Sequence, residues 1–152
     1  MNIEELLVNK NKKYQKDMWD NKSKSHLNIE LSKGQNPYAL IITCSDSRVI
    51  PEEIFSSSIG ELFTIRSAGN VINDGELASI EYAIEHLHIQ YILVLGHTSC
   101  GAIHTAIHDE KGTYLDPVLS RSDMLPPLNE VGASCSMTLL KFKQSNKQFL
   151  IL

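Results

Sequence analysis

The chain is poor in most features that mark a specialised architecture. Of its 152 residues only three are Cys, one is Trp and three are Arg. A small, odd cysteine count excludes a disulfide scaffold and leaves the thiols available for metal or catalysis. Arg48, Arg66 and Arg121 are dispersed, the formal net charge is −4 and the pI is near 5.8, so there is no basic footprint for nucleic acid. Residues 1–33 carry seven Lys against five acids, which reads as a solvated helix face. No apolar run reaches the eighteen or so residues that span a bilayer, and the polar start Met1-Asn2-Ile3-Glu4-Glu5 is unlike a signal peptide. The expectation is a cytoplasmic protein with neither a membrane nor a nucleic acid as partner. There is no internal repeat and no low-complexity segment.

What is present is a sequence of alternating helical and extended patterns. Ile3, Leu7, Tyr14 and Met18 recur at nearly helical spacing and predict an amphipathic helix over residues 2–20. Tyr38-Ala39-Leu40-Ile41-Ile42-Thr43 reads as a strand buried on both faces, Leu62-Phe63-Thr64-Ile65 as a shorter one, and Tyr91-Ile92-Leu93-Val94-Leu95 as the clearest. Between the last two, Asn73-Asp74-Gly75-Glu76 is a capping box opening a helix with Leu77, Ile80, Ile84 and Leu87 along one stripe. A short helix carrying Ile103 and Ile107 follows Cys100. Residues 109–126 read as a loop. Pro126-Pro127 then opens an expected helix with Leu128, Val131, Cys135, Leu139 and Phe142 in its stripe, and Gln148–Leu152 makes a last strand. Such alternation predicts an α/β fold with a parallel-sheet core flanked by helices and an N-terminal helical arm. The whole of 1–152 is expected to be one domain, with an arm at 1–33, a core at 34–108 and a C-terminal region at 109–152.

The chemistry is concentrated in Cys44-Ser45-Asp46-Ser47-Arg48 and Gly96-His97-Thr98-Ser99-Cys100-Gly101, each directly after a predicted strand. Alternate side chains of an extended segment share a face, so Cys44 and Asp46 point the same way as the chain leaves its strand. His97 and Cys100 close on the same point from the second motif, with Gly96 and Gly101 expected to let the backbone bend and the start of a helix expected to lower the Cys100 thiol pKa. Two thiolates and an imidazole make a three-ligand Zn2+ site with a fourth position for water or for Asp46. Their charge cancels that of the ion, which predicts activity favouring alkaline pH. A bidentate Asp46–Arg48 pair would hold the carboxylate off the metal, and its breakage would let Asp46 close the site. His104 and His108, spaced i,i+4, read as solvent-exposed, and Cys135 as a buried core thiol. Five residues usually separate Cys from Arg in a phosphatase loop, and this chain has three.

At these residues the chain resembles the β-class carbonic anhydrases. Gly34-Gln35, the ITCSDSRVIPE stretch, LFTIRSAGNVI, LASIEYAIEHL and VLGHTSCGAI follow the family's order and spacing. The resemblance implies zinc ligands at Cys44, His97 and Cys100, one Zn2+ per subunit, and a catalytic Asp46–Arg48 dyad. It implies substrate contacts from the Gln35 amide and the Gly101 backbone, with Phe63 and Tyr82 as apolar pocket walls bordering a subunit interface. The activity implied is reversible hydration of carbon dioxide to bicarbonate and a proton by a homodimer or a higher assembly of dimers. The region after Cys100 is expected to be shorter than in the family, and Ser67 stands where Asn is common. No Trp precedes Cys44 as in bicarbonate-inhibited members, so the form with Asp46 off the metal is expected at neutral pH. The alternatives are a non-catalytic zinc-binding homologue and a carbon disulfide or carbonyl sulfide hydrolase on the same scaffold.

Overall fold

The sheet is organised around one strand that is buried along its whole length. In the computed structural model, which describes residues 2–20, 29–108, 137–143 and 148–151, the chain divides into an N-terminal unit of residues 1–35 and a unit of residues 36–152. The N-terminal unit is built on helix α1, Ile3–Asp20. Asn2 Oδ1 accepts the Glu4 N–H at 3.1 Å, and Glu4 and Glu5 sit in the first turn, where the helix dipole favours acids. Ile3, Leu7, Tyr14 and Trp19 are exposed on it.

In the second unit, β1 (Ala39–Cys44) is central, flanked by β2 (Leu62–Ser67) and β3 (Tyr91–Leu95), both parallel to it. All six residues of β1 are buried because its two faces meet two cores. Leu40 and Ile42 pack with Ile65, Ile92 and the α3 residues Ala83 and Ile84, where α3 spans Asp74–Glu85. Ala39 and Ile41 pack with Val49 and Leu95 on the other side. The even and odd positions of a strand point oppositely, so a continuous apolar run is what a two-sided core requires. The capping box predicted for α3 is present, with the Asn73 N–H donating to Glu76 Oε2 at 2.9 Å. A one-turn helix α2, Pro51–Ile54, opened by proline, follows the first motif, and α4, Gly101–His108, follows the second.

Beyond β3 the sheet is not parallel. Strands β4 (Met137–Lys143) and β5 (Gln148–Ile151) continue it antiparallel, in the order β2-β1-β3-β4-β5. The helix expected over Leu128–Phe142 is therefore wrong for its second half, since Leu139 pairs with Leu93 and Leu140 with Ile92. Leu140-Lys141-Phe142-Lys143 alternates with period two, and the free edge of β3 offers a row of backbone groups that need partners. The first half of that expected helix, Cys135, and the predicted 109–126 loop lie outside the described residues.

The chain runs from β1 to β2 on one side, then crosses through α3 to β3 on the other. The carboxyl ends of β1 and β3 thus flank a topological switch point, where open α/β sheets place their ligands. Both cysteine-containing motifs emerge there.

Candidate metal centre

Strand β1 delivers Cys44 as its last residue, and β3 ends at Leu95, directly before the Gly96-His97 pair. The neighbouring register pairs Thr43 with Leu95, so the two strands finish level. Cys44, His97 and Cys100 come together with their potential ligand atoms all within 4.8 Å of one another. The two Sγ atoms are 3.8 Å apart, and both cysteines are buried.

The state of His97 follows from its neighbour. Nδ1 lies 3.0 Å from the Thr98 carbonyl, which can only accept, so Nδ1 carries the proton and Nε2 presents a lone pair. Nε2 is buried without a hydrogen-bond partner. A buried acceptor of this kind is costly unless something satisfies it, and a ring nitrogen of His97 lies within 4.8 Å of both sulfurs. Two thiol ligands and an Nε2 imidazole fit a tetrahedral zinc in donor type and number.

Backbone donors support the thiols. The Gly69 N–H donates to Cys44 Sγ at 3.4 Å from the turn Ala68–Asn70 that follows β2. Burial pushes the Cys100 thiol up, with Cys44 beside it adding to the shift, while the N–H groups of Ile103 and Ala102 in α4 pull it down. The expected lowering by the helix start is thus present but outweighed by burial. The expected glycine hinges also differ. It is Ser99, at φ 53°, that takes the left-handed conformation between the ligands, while neither Gly96 nor Gly101 has a positive φ and Gly101 opens α4 with open space around its Cα.

Asp46 and Arg48 stand next to this cluster. Arg48 Nε donates to Asp46 Oδ1 at 2.9 Å and Nη2 to Oδ2 at 2.7 Å, while the Arg48 N–H also donates to Oδ1. This fork holds the Asp46 carboxyl well below the usual carboxylate range, and the guanidinium is raised in turn. Arg48 Nη2 reaches on to the Ser99 carbonyl at 3.2 Å, which ties the first motif to the second.

Of the remaining expected site residues, Gly101 directly follows the ligand Cys100 at the start of α4, while Phe63 lies apart from the cluster. Gln35 belongs to the N-terminal unit. Phe63 and Tyr82 touch each other, with ring centroids 6.1 Å apart, and Tyr82 stacks on His86 at 5.2 Å. Phe63 pairs with Leu40, whereas Cys44 pairs with Ser67, so Phe63 sits four residues down β2, about 13 Å from the ligand row. His104 is exposed on α4 and is not among the clustered ligands.

The sequence of the chain from Ala39 onward matches the carbonic anhydrase family model over residues 39–146. The chain belongs to the β-class carbonic anhydrase family. Over 80 residues it is 54% identical to a carbonic anhydrase of Synechococcus elongatus, a stretch covering 49% of this chain and 29% of that protein. It is 39% identical over 112 residues to a Helicobacter pylori carbonic anhydrase, covering 66% of this chain and 50% of the relative. Among solved structures, a tetrameric β-carbonic anhydrase of Sordaria macrospora superposes with a TM-score of 0.72 at 29% identity, over 82% of this chain and 64% of that one. A β-carbonic anhydrase of Aspergillus fumigatus gives 0.68 at 33% identity, over 78% and 58%. The chain thus spans half or less of the curated relatives' length. Cys44, His97 and Cys100 form a Cys–His–Cys zinc triad in a member of this family. Among the described residues, no helix is long and apolar enough to cross a membrane.

Sequence reasoning missed three contributors. Arg66 Nε donates to the Cys44 carbonyl at 3.2 Å and Nη2 to the Asp46 carbonyl at 2.7 Å. Asn70, at φ 61°, donates from Nδ2 to the Leu95 carbonyl at 2.9 Å, and buried Thr43 donates its Oγ1 to the same oxygen at 3.0 Å. The signal available for Asn70 was the Gly-Asn pair after a strand, since these two residue types visit the left-handed region most readily.

Proposed function

We propose that this chain interconverts carbon dioxide and bicarbonate at a zinc ion held by Cys44, His97 and Cys100. The observation that carries the reading is the buried ligand cluster with its unpartnered His97 Nε2, set beside the forked Asp46–Arg48 pair. Bound there, zinc would supply a Lewis acid that activates water, with its two thiolate ligands setting that activation towards alkaline pH. The protein's own part is positioning. Asp46 Oδ1 already accepts two N–H donors and Oδ2 one, so Oδ2 keeps capacity to accept a hydrogen bond from the attacking water and aim it. A carboxylate held so far below neutrality orients a proton rather than storing it, because a working base needs a pKa near the operating pH. The proton released leaves to solvent. Carbon dioxide offers little to hydrogen-bond, which suits an apolar wall, and the contact assigned to it beside the metal is the Gly101 N–H, one of the donors of a helix start.

Phe63 and Tyr82 are too far along β2 and α3 to wall the metal of their own chain. We assign them to the site of a second copy, which makes the working unit a homodimer or an assembly of dimers. A reducing cytoplasm suits two ligand thiols.

Stopped-flow hydration of carbon dioxide by the purified, zinc-loaded chain at neutral pH and near pH 8.5 tests the reading. Turnover that rises with pH and stops on chelation supports it. A folded, zinc-containing protein without turnover overturns it in favour of a non-catalytic zinc-binding homologue, and turnover of carbon disulfide or carbonyl sulfide alone reassigns the substrate.

A further inference from the structure

Cys44 and Asp46 do different jobs in the proposed chemistry, one as ligand and the other as acceptor, and they are only two residues apart. Their relative placement depends on the course of the peptide between them, just where β1 has ended and the ladder no longer dictates it. One backbone bond still reaches this segment from β2, from the Ser45 N–H to the Ser67 carbonyl at 3.1 Å. The other ties come from a side chain. Arg66 lies on β2 opposite Thr43, and its guanidinium spans the segment, with Nε on the Cys44 carbonyl and Nη2 on the Asp46 carbonyl. The Asp46 carbonyl also accepts the Val49 N–H at 3.0 Å, so both sides of the loop converge on it.

We propose that Arg66 is a positioning residue of the metal centre, fixing the Cys44 ligand and the Asp46 carboxylate at a set separation by forking their two carbonyls. The two arginines divide the work. Arg48 holds the Asp46 side chain and ties the loop to Ser99, while Arg66 holds the backbone that carries both functional side chains. A planar guanidinium can engage two acceptors in fixed directions, which an ammonium cannot do. The inference rests on the zinc reading above but not on the identity of the substrate.

The test compares the full chain with Arg66→Met, which keeps an apolar stem of similar length, and Arg66→Lys, which keeps the charge but not the fork. The readouts are zinc affinity by chelator competition, the visible d–d spectrum of the cobalt-substituted protein, and the kcat and KM of carbon dioxide hydration. Arg66→Met is expected to weaken zinc binding about 10- to 100-fold, as loss of an outer-shell support does. It should also shift the cobalt bands and lower kcat with KM little changed, with Arg66→Lys recovering only part of each. Zinc affinity within about twofold of the parent and unchanged cobalt bands in either folded variant would mean that Arg66 merely staples β1 to β2, and would overturn the proposal. Should Arg66→Met not fold, Arg66→Lys decides the matter on the same readouts. A parent that binds cobalt but hydrates no carbon dioxide counts against the activity reading, and the Arg66 comparison is then read from affinity and spectrum.

Discussion

Replacing Asn70 separates two contributions that meet at one residue. Its backbone sits at φ 61°, and its Nδ2 donates to the Leu95 carbonyl, the last residue of β3 before the second motif. In Asn70→Ala the left-handed conformation costs about 1–2 kcal/mol for a residue with a plain Cβ. The lost hydrogen bond adds about 0.5–1.5 kcal/mol. No orphan penalty follows, because the Thr43 hydroxyl still donates to the Leu95 carbonyl. The sum is about 1.5–3.5 kcal/mol. Asn70→Gly loses the same hydrogen bond but tolerates the positive φ, so it should recover about 1 kcal/mol of that loss. Urea denaturation of the full metal-free chain reads the difference. With a slope of about 1–3 kcal/mol per molar urea, the Ala variant should lose roughly 1 M in midpoint and the Gly variant about half as much. Equal midpoints for Ala and Gly would refute the strain argument, and parent-like midpoints for both would refute the role of Asn70 altogether.

Cys44→Ser should lose tight zinc binding, measured as metal content after dialysis against a weak chelator, and tight retention would remove Cys44 from the ligand set. Asp46→Asn should keep its zinc but lose most carbon dioxide hydration, since the amide can neither pair with Arg48 as an anion nor accept at both atoms; full activity would end its orienting role. The folded Asp46 carboxyl is depressed, so its contribution to stability is complete above the unfolded carboxylate pKa of about 3.9 and is lost as pH falls through the lower folded value. The gap between the urea midpoints of the parent and Asp46→Asn should therefore close in strong acid, and a gap that widens on acidification would contradict the fork geometry.

What could be read from the chain was whatever is local. Asn73 and Glu76 announce a helix start because both halves of the capping box lie within one turn. The Asp46–Arg48 fork is readable for the same reason, its partners being two residues apart. The unbroken apolar run of β1 marks a strand with cores on both sides. Tertiary alignment is harder to read. Arg66 looks like one of a few scattered cations until β1 and β2 are set in register, which brings it beside the carbonyls of Cys44 and Asp46. The left-handed turn at Ser99 left no mark, since nothing in Thr-Ser-Cys suggests that serine rather than a glycine will take the positive φ. At Leu139 and Phe142 a helical stripe competed with the hydrogen-bonding demand of the β3 edge, a demand that exists only once the sheet has formed.

The level ends of β1 and β3 make metal uptake a clock for folding. Cys44 and Cys100 are 56 positions apart, and the chain between them must lay down β2, cross the sheet through α3 and return as β3 before the three ligands share one point. Such long-range parallel pairing is slow compared with helix formation. An early collapsed state with α3 formed but β3 unpaired can bind zinc through one or two ligands only, and weakly. The tight-binding phase in a refolding experiment should thus coincide with docking of β3 on β1, so that the ion reports the moment at which the sheet closes across its switch point.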